Sequence, residues 1–497
     1  MKKIKKYLVS PFKITIFEDK NNKQFYQSEV TFDINKYNSL SYSIEKQLLS
    51  EKGILDSEII KLENLIHYLK QSILSHLDKV QFESLKMKDF LCDWLVYRII
   101  GLERIIPLLN DDRVQEIYLD KPGTALYIDH QDYGRCLTNI ILNQRELESL
   151  KTRLCLEKDC LINLLNPSLK VEMKTSKFHI RAAIDIPPLA SDGMSMNIRK
   201  LRKKIWTLPE LIFCNMLSIE SAAYLIYVMR RRNNFTVIGE PGSGKTTLAN
   251  SIDFLTPNSW RKITIEDVIE SIEQTQYNKF QTRYSVSPFD TKVNHSSKSE
   301  EIIKLLHRSP TWVYLGEIQT AEHSKALFEA LSAGLIGIQT CHGRSIEMML
   351  IRWINQHDIP LTSILSLDVL IETHSSFDNW KMTRNVHRIV EVSKESIASS
   401  KFTNKLENIQ LIEVFALNAE NKLEKKIDLY ESPLVKKIRK FKNVSREEFK
   451  SELNKIITLL EYLIDNSIFS PKQVLTYFNE FESKIVNQYV KVKKTSI

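Results

Sequence analysis

One eight-residue segment constrains the fold of this chain more than any other feature. Residues 239–246 read Gly-Glu-Pro-Gly-Ser-Gly-Lys-Thr and match the pattern G-x-x-x-x-G-K-[ST] at every defined position. A β-prone run at 235–238 precedes the segment, and residues 247–250 can begin a helix after it. The backbone N–H groups of such a loop, together with a helix N-terminus, bind phosphate. The segment therefore predicts a strand, a phosphate-binding loop and a helix, and a chance glycine-rich turn is a weak alternative.

Glycine is scarce in this chain, so its placement is informative. The 497 residues include 12 glycines, about a third of the number expected from an average usage of roughly 7%. Seven of them fall between residues 239 and 343, namely Gly239, Gly242, Gly244, Gly316, Gly334, Gly337 and Gly343. This region therefore predicts backbone approaches that a Cβ would obstruct.

Two acids and one histidine follow the loop, each at the end of an apolar run. Glu266 follows the run 263–265, Glu317 follows the run 312–316, and His342 ends a third run. Because the carboxyl ends of parallel strands face the ligand crevice of α/β folds, these side chains are candidates for orienting water or a metal ion. Taken singly, either acid is as well explained as a solvated strand end, and a lone histidine is usually structural.

Taken in order, four motifs resemble those of the secretion ATPase superfamily, which comprises the ATPases of type II and type IV secretion, type IV pili and archaella. They are the phosphate-binding loop at 239–246, an aspartate box at 264–270, a Walker B strand closing in Gly-Glu at 315–318, and a histidine box at 340–343. The layout is most similar to the archaeal branch. The resemblance covers about residues 100–400 and is looser in the C-terminal tail.

The resemblance implies an α/β fold in which a RecA-like P-loop ATPase domain follows a small α+β, PAS-like domain. Together with helical periodicity near both ends of the chain, it predicts four parts. These are a mainly helical N-terminal extension at 1–100, the α+β domain at 101–205, the RecA-like domain at 206–404 and a helical C-terminal region at 405–497. In the last part, Ser445 and Glu448 fit a capping box at the start of a helix.

The resemblance also assigns a nucleotide site. The expected cofactors are ATP and Mg²⁺, with Lys245 contacting the β- and γ-phosphates and the Thr246 hydroxyl binding Mg²⁺. The full set of expected ATP-binding residues is Gly239, Glu240, Pro241, Gly242, Ser243, Gly244, Lys245, Thr246 and Thr247.

Further roles follow from the same resemblance. Glu266, Glu317 and His342 are the catalytic candidates; either acid can also organise the metal ion, and the division of labour between the two acids stays open. Arg181 and Arg199 resemble arginines that contact phosphate across a domain or subunit seam, although a solvated basic surface explains them equally well.

These features predict an ATP-hydrolysing motor that powers assembly of a pilus-like or archaellum-like filament, or type II/IV secretion. The resemblance implies a hexameric ring under a multi-spanning membrane platform protein, located in the cytoplasm with peripheral contact at the inner face of the cell membrane. With 43% apolar residues, the chain can bury several cores, which excludes a small disulfide scaffold. No run of 18 or more apolar residues occurs, so a membrane-spanning helix is not expected.

Two alternatives remain at this level. A DNA-handling, conjugation-type ATPase is compatible with the net charge of +9, but no basic groove interleaved with aromatic residues is evident, so no nucleic-acid partner is expected. A slow or inactive nucleotide-binding paralogue is favoured by three departures from the family pattern. Gln319 and Thr320 replace the usual arginine and acid after the Walker B strand, and His307 replaces an arginine before it.

Overall fold

The structure is a computed structural model that describes residues 2–50, 61–78, 80–82, 84–201, 205–286, 297–378, 381–393 and 409–481. The expected boundary between residues 404 and 405 lies outside these residues. The chain forms two compact units. The first comprises Met1–Lys204 with Phe377–Met382, and the second comprises Ile205–Ser376 with Thr383–Ile497.

The first unit is built on a nine-stranded sheet in the order β1-β2-β3-β6-β5-β4-β9-β8-β7. Its strands are β1 (Lys2–Val9), β2 (Phe12–Glu18), β3 (Gln24–Val30), β4 (Val114–Leu119), β5 (Ala125–His130), β6 (Gly134–Ile141), β7 (Ser168–Lys174), β8 (His179–Asp185) and β9 (Ser195–Lys200). Its helices are α1 (Asn38–Ser50), α2 (Leu62–Leu77), α3 (Leu85–Ile100), α4 (Ile106–Asn110) and α5 (Gln144–Lys158). Strands β3 and β6 pair in parallel, and the other neighbours are antiparallel.

The helices α1, α2 and α3 lie within the expected N-terminal helical extension, but its first thirty residues are not helical. They form β1, β2 and β3 and extend the sheet of the first unit through the pairing of β3 with β6. Ile14 and Ile16 are both fully buried. They are two residues apart, as expected for side chains on the same face of a strand. The Tyr26 hydroxyl donates to Asp111 at 3.1 Å, so the N-terminal strands are part of this unit and its core.

The second unit contains another nine-stranded sheet, in the order β12-β11-β13-β14-β10-β15-β16-β17-β18. Its strands are β10 (Phe235–Gly239), β11 (Lys262–Glu266), β12 (Gln281–Ser285), β13 (Trp312–Ile318), β14 (Gly337–His342), β15 (Val369–Asp378), β16 (Lys381–Val392), β17 (Leu411–Leu417) and β18 (Leu423–Lys425). Its helices are α6 (Leu208–Phe213), α7 (Ile219–Met229), α8 (Lys245–Phe254), α9 (Lys298–Lys304), α10 (Ala321–Ser332), α11 (Ile346–Ile351), α12 (Leu361–Ile364), α13 (Pro433–Lys442) and α14 (Arg446–Asp465). From β12 to β15 the neighbouring strands are parallel.

Both faces of the parallel strands are covered, as is usual for parallel sheets. In β13, Trp312 and Tyr314 belong to the hydrophobic core on one face, whereas Val313 and Leu315 belong to the core on the other. This explains why the strands of the second unit are continuous apolar runs. In the part of the chain described, no helix is both long and apolar enough to cross a membrane.

The C-terminal region is also not helical throughout, which corrects the second expected extension. Strands β17 and β18 continue the sheet beyond β16 before α13 and α14 begin. The predicted capping box is confirmed, because Ser445 and Glu448 each accept the other's backbone N–H at the start of α14. Glu391 in β16 is fully buried, and it accepts hydrogen bonds from the Tyr224 hydroxyl and, at 2.7 Å, from the Leu434 amide of α13.

Candidate functional site

The phosphate-binding loop follows β10, which is buried between β14 and β15. A Cβ on Gly239 would lie 2.3 Å from Thr373 Oγ1, so only glycine fits where the loop begins. The Ser243 hydroxyl lies 2.8 Å from the same Thr373 oxygen. Gly244 has a φ of 93° and precedes the first residue of α8, Lys245. The expected strand, loop and helix are therefore present, and Thr246 and Thr247 lie half-buried in the first turn of α8.

A row of three side chains links the loop to the end of β13. Lys245 Nζ donates to the Glu240 carbonyl at 2.9 Å and lies 3.2 Å from His342 Nδ1. On the other side of the ring, His342 Nε2 lies 3.0 Å from Glu317 Oε1. An ammonium group can only donate, so Nδ1 accepts and Nε2 carries the proton that points at Glu317. Strand register places His342 directly beside Gly239.

Glu317 is held in its ionised form. Burial alone would raise its pKa, but the hydrogen bonds from His342 and the Gln319 amide and the charge of the Lys245 ammonium hold the pKa well below its usual range. The Gln319 amide donates to Glu317 Oε2 at 2.5 Å. A carboxylate that is ionised at neutral pH and aligned with a lysine and a histidine can orient water beside a phosphate.

Glu266 has a different environment. It is 2% exposed, and its carboxylate accepts backbone N–H groups of its own loop, from Glu270 at 3.2 Å and Ser271 at 3.0 Å. A Cβ on Gly316 would lie 2.8 Å from Glu266 Cγ, so the glycine of the Walker B strand makes room for this side chain. Burial raises the pKa of Glu266 to about 7, despite these hydrogen bonds.

The raised pKa of Glu266 predicts a pH-dependent stability. The folded protein keeps this proton up to about pH 7, whereas an unfolded glutamate loses it near 4.5. The contribution to the free energy of unfolding is therefore complete below about pH 4.5 and is lost as pH rises through about 7, on the order of 3 kcal/mol. Urea unfolding between pH 5 and 8 should show a shallower decline for Glu266→Gln than for wild type. The exposed Glu420→Gln should match wild type, and parallel profiles for Glu266→Gln would refute the assignment.

The two candidate arginines lie in the first unit. Arg181 in β8 and Arg199 in β9 are direct partners in the strand register. Arg199 also lies 4.0 Å from Glu116, whereas Nε and Nη2 of Arg181 are buried and find no hydrogen-bond partner among the residues that the structure describes. Their expected contact with phosphate stays a prediction.

Two of the three departures from the family pattern have visible structural roles. Gln319 is exposed and binds Glu317 as described above, and Thr320 is the N-cap of α10, where its hydroxyl accepts the His323 amide. His307 is exposed. The adjacent Arg308 is engaged elsewhere, with Nη2 at 2.5 Å from Glu301.

Several residues near the site carry no motif and were not predicted. Arg384 Nε donates to the Gly242 carbonyl at 2.6 Å, and Arg352 Nη1 donates to the His342 carbonyl at 2.7 Å. Lys298 Nζ donates to the Glu317 carbonyl at 2.7 Å. None of these three residues lies in one of the four motifs. The spacing of residues in the sequence therefore could not identify them as neighbours of the site.

A phosphate-binding loop after a buried parallel strand, with an acid and a histidine at neighbouring strand ends, defines a P-loop protein of the α/β class. Residues 114–370, just over half of the chain, match the family described as Type II/IV secretion system protein. The chain therefore belongs to this family, which confirms the resemblance seen in its motifs.

Relatives occur in both bacteria and archaea. The type IV secretion system protein PtlH of Bordetella pertussis is 27% identical over 272 residues, which cover 50% of this chain and 79% of PtlH. The uncharacterized protein MJ0781 of Methanocaldococcus jannaschii is 25% identical over 315 residues, which cover 61% of this chain and 42% of MJ0781. The structure of the Legionella pneumophila ATPase DotB is matched at 18% identity and a TM-score of 0.42, over 60% of this chain and 82% of DotB. The chain thus spans less than half the length of MJ0781.

Proposed function

We propose that this protein is an ATP-hydrolysing motor of a type II/IV secretion or pilus-type machine. The observation that carries the proposal is the row formed by Lys245, His342 and Glu317, which joins the phosphate-binding loop to an ionised acid. In this row the ring of His342 lies between a cation that binds phosphate and a carboxylate that orients water, at hydrogen-bonding distance from each.

Each side chain then has a distinct task. The backbone N–H groups of 239–246 and Lys245 bind the β- and γ-phosphates, and Lys245 exchanges its contact with the Glu240 carbonyl for phosphate oxygens. Glu317 orients the attacking water by accepting its hydrogen bond, and His342 holds that carboxylate in place through Nε2–H. Glu266 is capped by its own loop, so we assign it to shaping the site and assign the water to Glu317.

The residues present fit a magnesium ion. Mg²⁺ keeps several waters and takes one or two protein oxygens plus phosphate oxygens, which the half-buried Thr246 hydroxyl and the Glu317 carboxylate can supply. When bound, the ion neutralises the charge that develops on the phosphates.

The wider role is proposed from the family. We infer a hexameric ring that acts on a multi-spanning membrane platform protein, at the inner face of the cell membrane, to assemble a pilus-like or archaellum-like filament or to drive secretion. Membership of the family and its relative PtlH, a type IV secretion system protein, support this inference. Arg181 and Arg199 would contact nucleotide from a neighbouring domain or subunit.

A slow or inactive nucleotide-binding paralogue is the second candidate. It is favoured by the Gln319 amide, which occupies Glu317 Oε2 at 2.5 Å and brings no charge to the phosphates. A DNA-handling motor is the third candidate, and the same experiment separates all three.

The test is Mg²⁺-dependent ATP turnover of the full chain alone, with anionic phospholipid vesicles, with single-stranded DNA and with duplex DNA. Turnover raised by vesicles supports a membrane-docked motor, whereas stimulation by DNA alone favours the DNA-handling motor. Tight ATP binding with turnover no faster than Lys245→Ala in every condition would identify the inactive paralogue. Native mass spectrometry with ATP tests the hexamer.

Gln319→Arg is expected to raise turnover by about tenfold. The guanidinium group would restore a charge-assisted hydrogen bond to phosphate, which is worth about 1.5–3 kcal/mol. We assign about 1.5 kcal/mol of this to the transition state alone, which corresponds to about tenfold in rate. The measurement is kcat in the same assay, with Lys325→Arg on α10 as a control that should not change it. Unchanged or lower turnover in Gln319→Arg would show that the missing arginine does not limit this protein.

A further inference from the structure

Lys298, the first residue of α9, is a lysine whose side chain is completely buried. Its Nζ donates to the Glu317 carbonyl at 2.7 Å and lies 3.1 Å from Asp267 Oδ1. Burying an ammonium group is costly unless it is paired and hydrogen-bonded. Both partners of Lys298 belong to the candidate site, since Asp267 follows Glu266 and the carbonyl is that of Glu317 itself.

Regular strand pairing does not reach Glu317. The parallel register of β11 with β13 ends at the pair Ile265 and Leu315, and the register of β13 with β14 skips from Leu315 to Ile318. The backbone at Glu317 is therefore outside the ladders that hold the rest of β13. Lys298 supplies a bond at this position and connects it to the segment that follows β11.

We propose that Lys298 is a positioning residue that holds the backbone of Glu317 so that its carboxylate faces His342. The inference rests on the proposed ATPase function and deepens it. Lys298 acts through Glu317. The two contacts of its ammonium group described above are with Glu317 and Asp267, and neither residue belongs to the phosphate-binding loop. Asp267 Oδ1 compensates the buried charge of the ammonium group and, together with the Glu317 carbonyl, fixes where Nζ lies.

The test is Lys298→Met, which keeps the length and apolar character of the side chain and removes the charge. The variant loses the charge-assisted hydrogen bond that positions Glu317, so we expect a kcat about 10- to 100-fold lower than that of wild type. The Kd for ADP should stay within about twofold of wild type, because the loop and Lys245 are unchanged. Lys298→Arg should recover most of the loss, since it restores a cationic donor.

Lys262→Met is the matched control, because Lys262 is another buried lysine in the same unit. Its Nζ lies 2.6 Å from Gln274 Oε1 and 3.2 Å from Asp253 Oδ2, and it contacts neither acid of the site. It should lower the melting temperature while the folded enzyme keeps its kcat. A loss of kcat in Lys262→Met as large as that in Lys298→Met would overturn the proposal, because the effect would then be general destabilisation.

Suppose that the wild-type protein hydrolyses ATP and Lys298→Met has the same kcat. This result would overturn the positioning role of Lys298 and leave the proposed function standing. If wild type turns over no faster than Lys245→Ala, the proposed function fails, and hydrogen exchange of residues 312–320 decides the inference alone. Faster exchange there in Lys298→Met, but not in Lys262→Met, supports it, and unchanged exchange overturns it. If Lys298→Met does not fold, the isosteric Asp267→Asn replaces it and is judged by the same outcomes.

Discussion

Lys245→Ala is expected to abolish measurable ATP turnover and to weaken nucleotide binding by at least about 100-fold. The lysine is 5% exposed and its ammonium group is aimed by the Glu240 carbonyl and His342 into the loop. Replacing it removes the charge that would bind two phosphates, and each hydrogen bond to a charged group is worth about 1.5–3 kcal/mol. Steady-state turnover and the Kd for a fluorescent ATP analogue measure the two effects.

Lys422→Ala serves as the control, because Lys422 is exposed and pairs only with Glu420 among the contacts described. It should leave both quantities unchanged. If Lys245→Ala still bound nucleotide as tightly as wild type, the segment 239–246 would not be the nucleotide site, and the proposed function would fail.

Glu317→Gln is expected to lower kcat by about 10³-fold while ATP affinity stays equal or increases. The amide keeps the size of the side chain but loses the negative charge that orients the attacking water, and positioned groups of this kind typically contribute 10²- to 10⁴-fold. Removing a carboxylate close to the Lys245 ammonium also removes a negative charge near the phosphates, so ATP binding does not suffer. Single-turnover kinetics with saturating ATP separate the chemical step from binding.

Glu220→Gln is the control for this substitution, since Glu220 pairs with Lys425 away from the loop and its row of side chains. Glu266→Gln is the informative comparison. If Glu266→Gln abolished turnover while Glu317→Gln retained it, the assignment of the two acids would be reversed.

The sequence singled out the loop, the two acids and His342 because short-range patterns mark them, and their roles in binding and hydrolysis stay predictions. The loop, the two acids and His342 all follow strand ends, and parallel strands bring such ends together at one edge of a sheet. The roles of Glu266 and Glu317 could not be separated at that level. They differ in burial and partners, since Glu266 is capped by the amides of Glu270 and Ser271, and these contacts depend on the folded chain.

The sequence was less informative about the two ends of the chain and about Lys298. Strand β1 is largely exposed and rich in lysine, so it lacks the alternation of apolar and polar residues that identifies a strand. In β2 the alternation is limited to a few residues around Ile14 and Ile16. Strands β17 and β18 are short and precede two long helices, so periodicity favoured a helical region. A buried lysine such as Lys298 cannot be recognised from spacing, because lysine is rarely buried unless it is paired.

The hydrogen bonds of Glu391 bear on how this protein can diversify. A chain shortened to residue 404 would lack Leu434, one donor to this buried carboxylate, and would leave β16 as an unpaired edge that promotes aggregation. The C-terminal region therefore shares the sheet and the hydrophobic core of the second unit and is not an exchangeable module. Domain grafts between relatives should keep the chain through residue 481, because Val474, Leu475 and Phe478 beyond α14 are still buried in the hydrophobic core of the second unit.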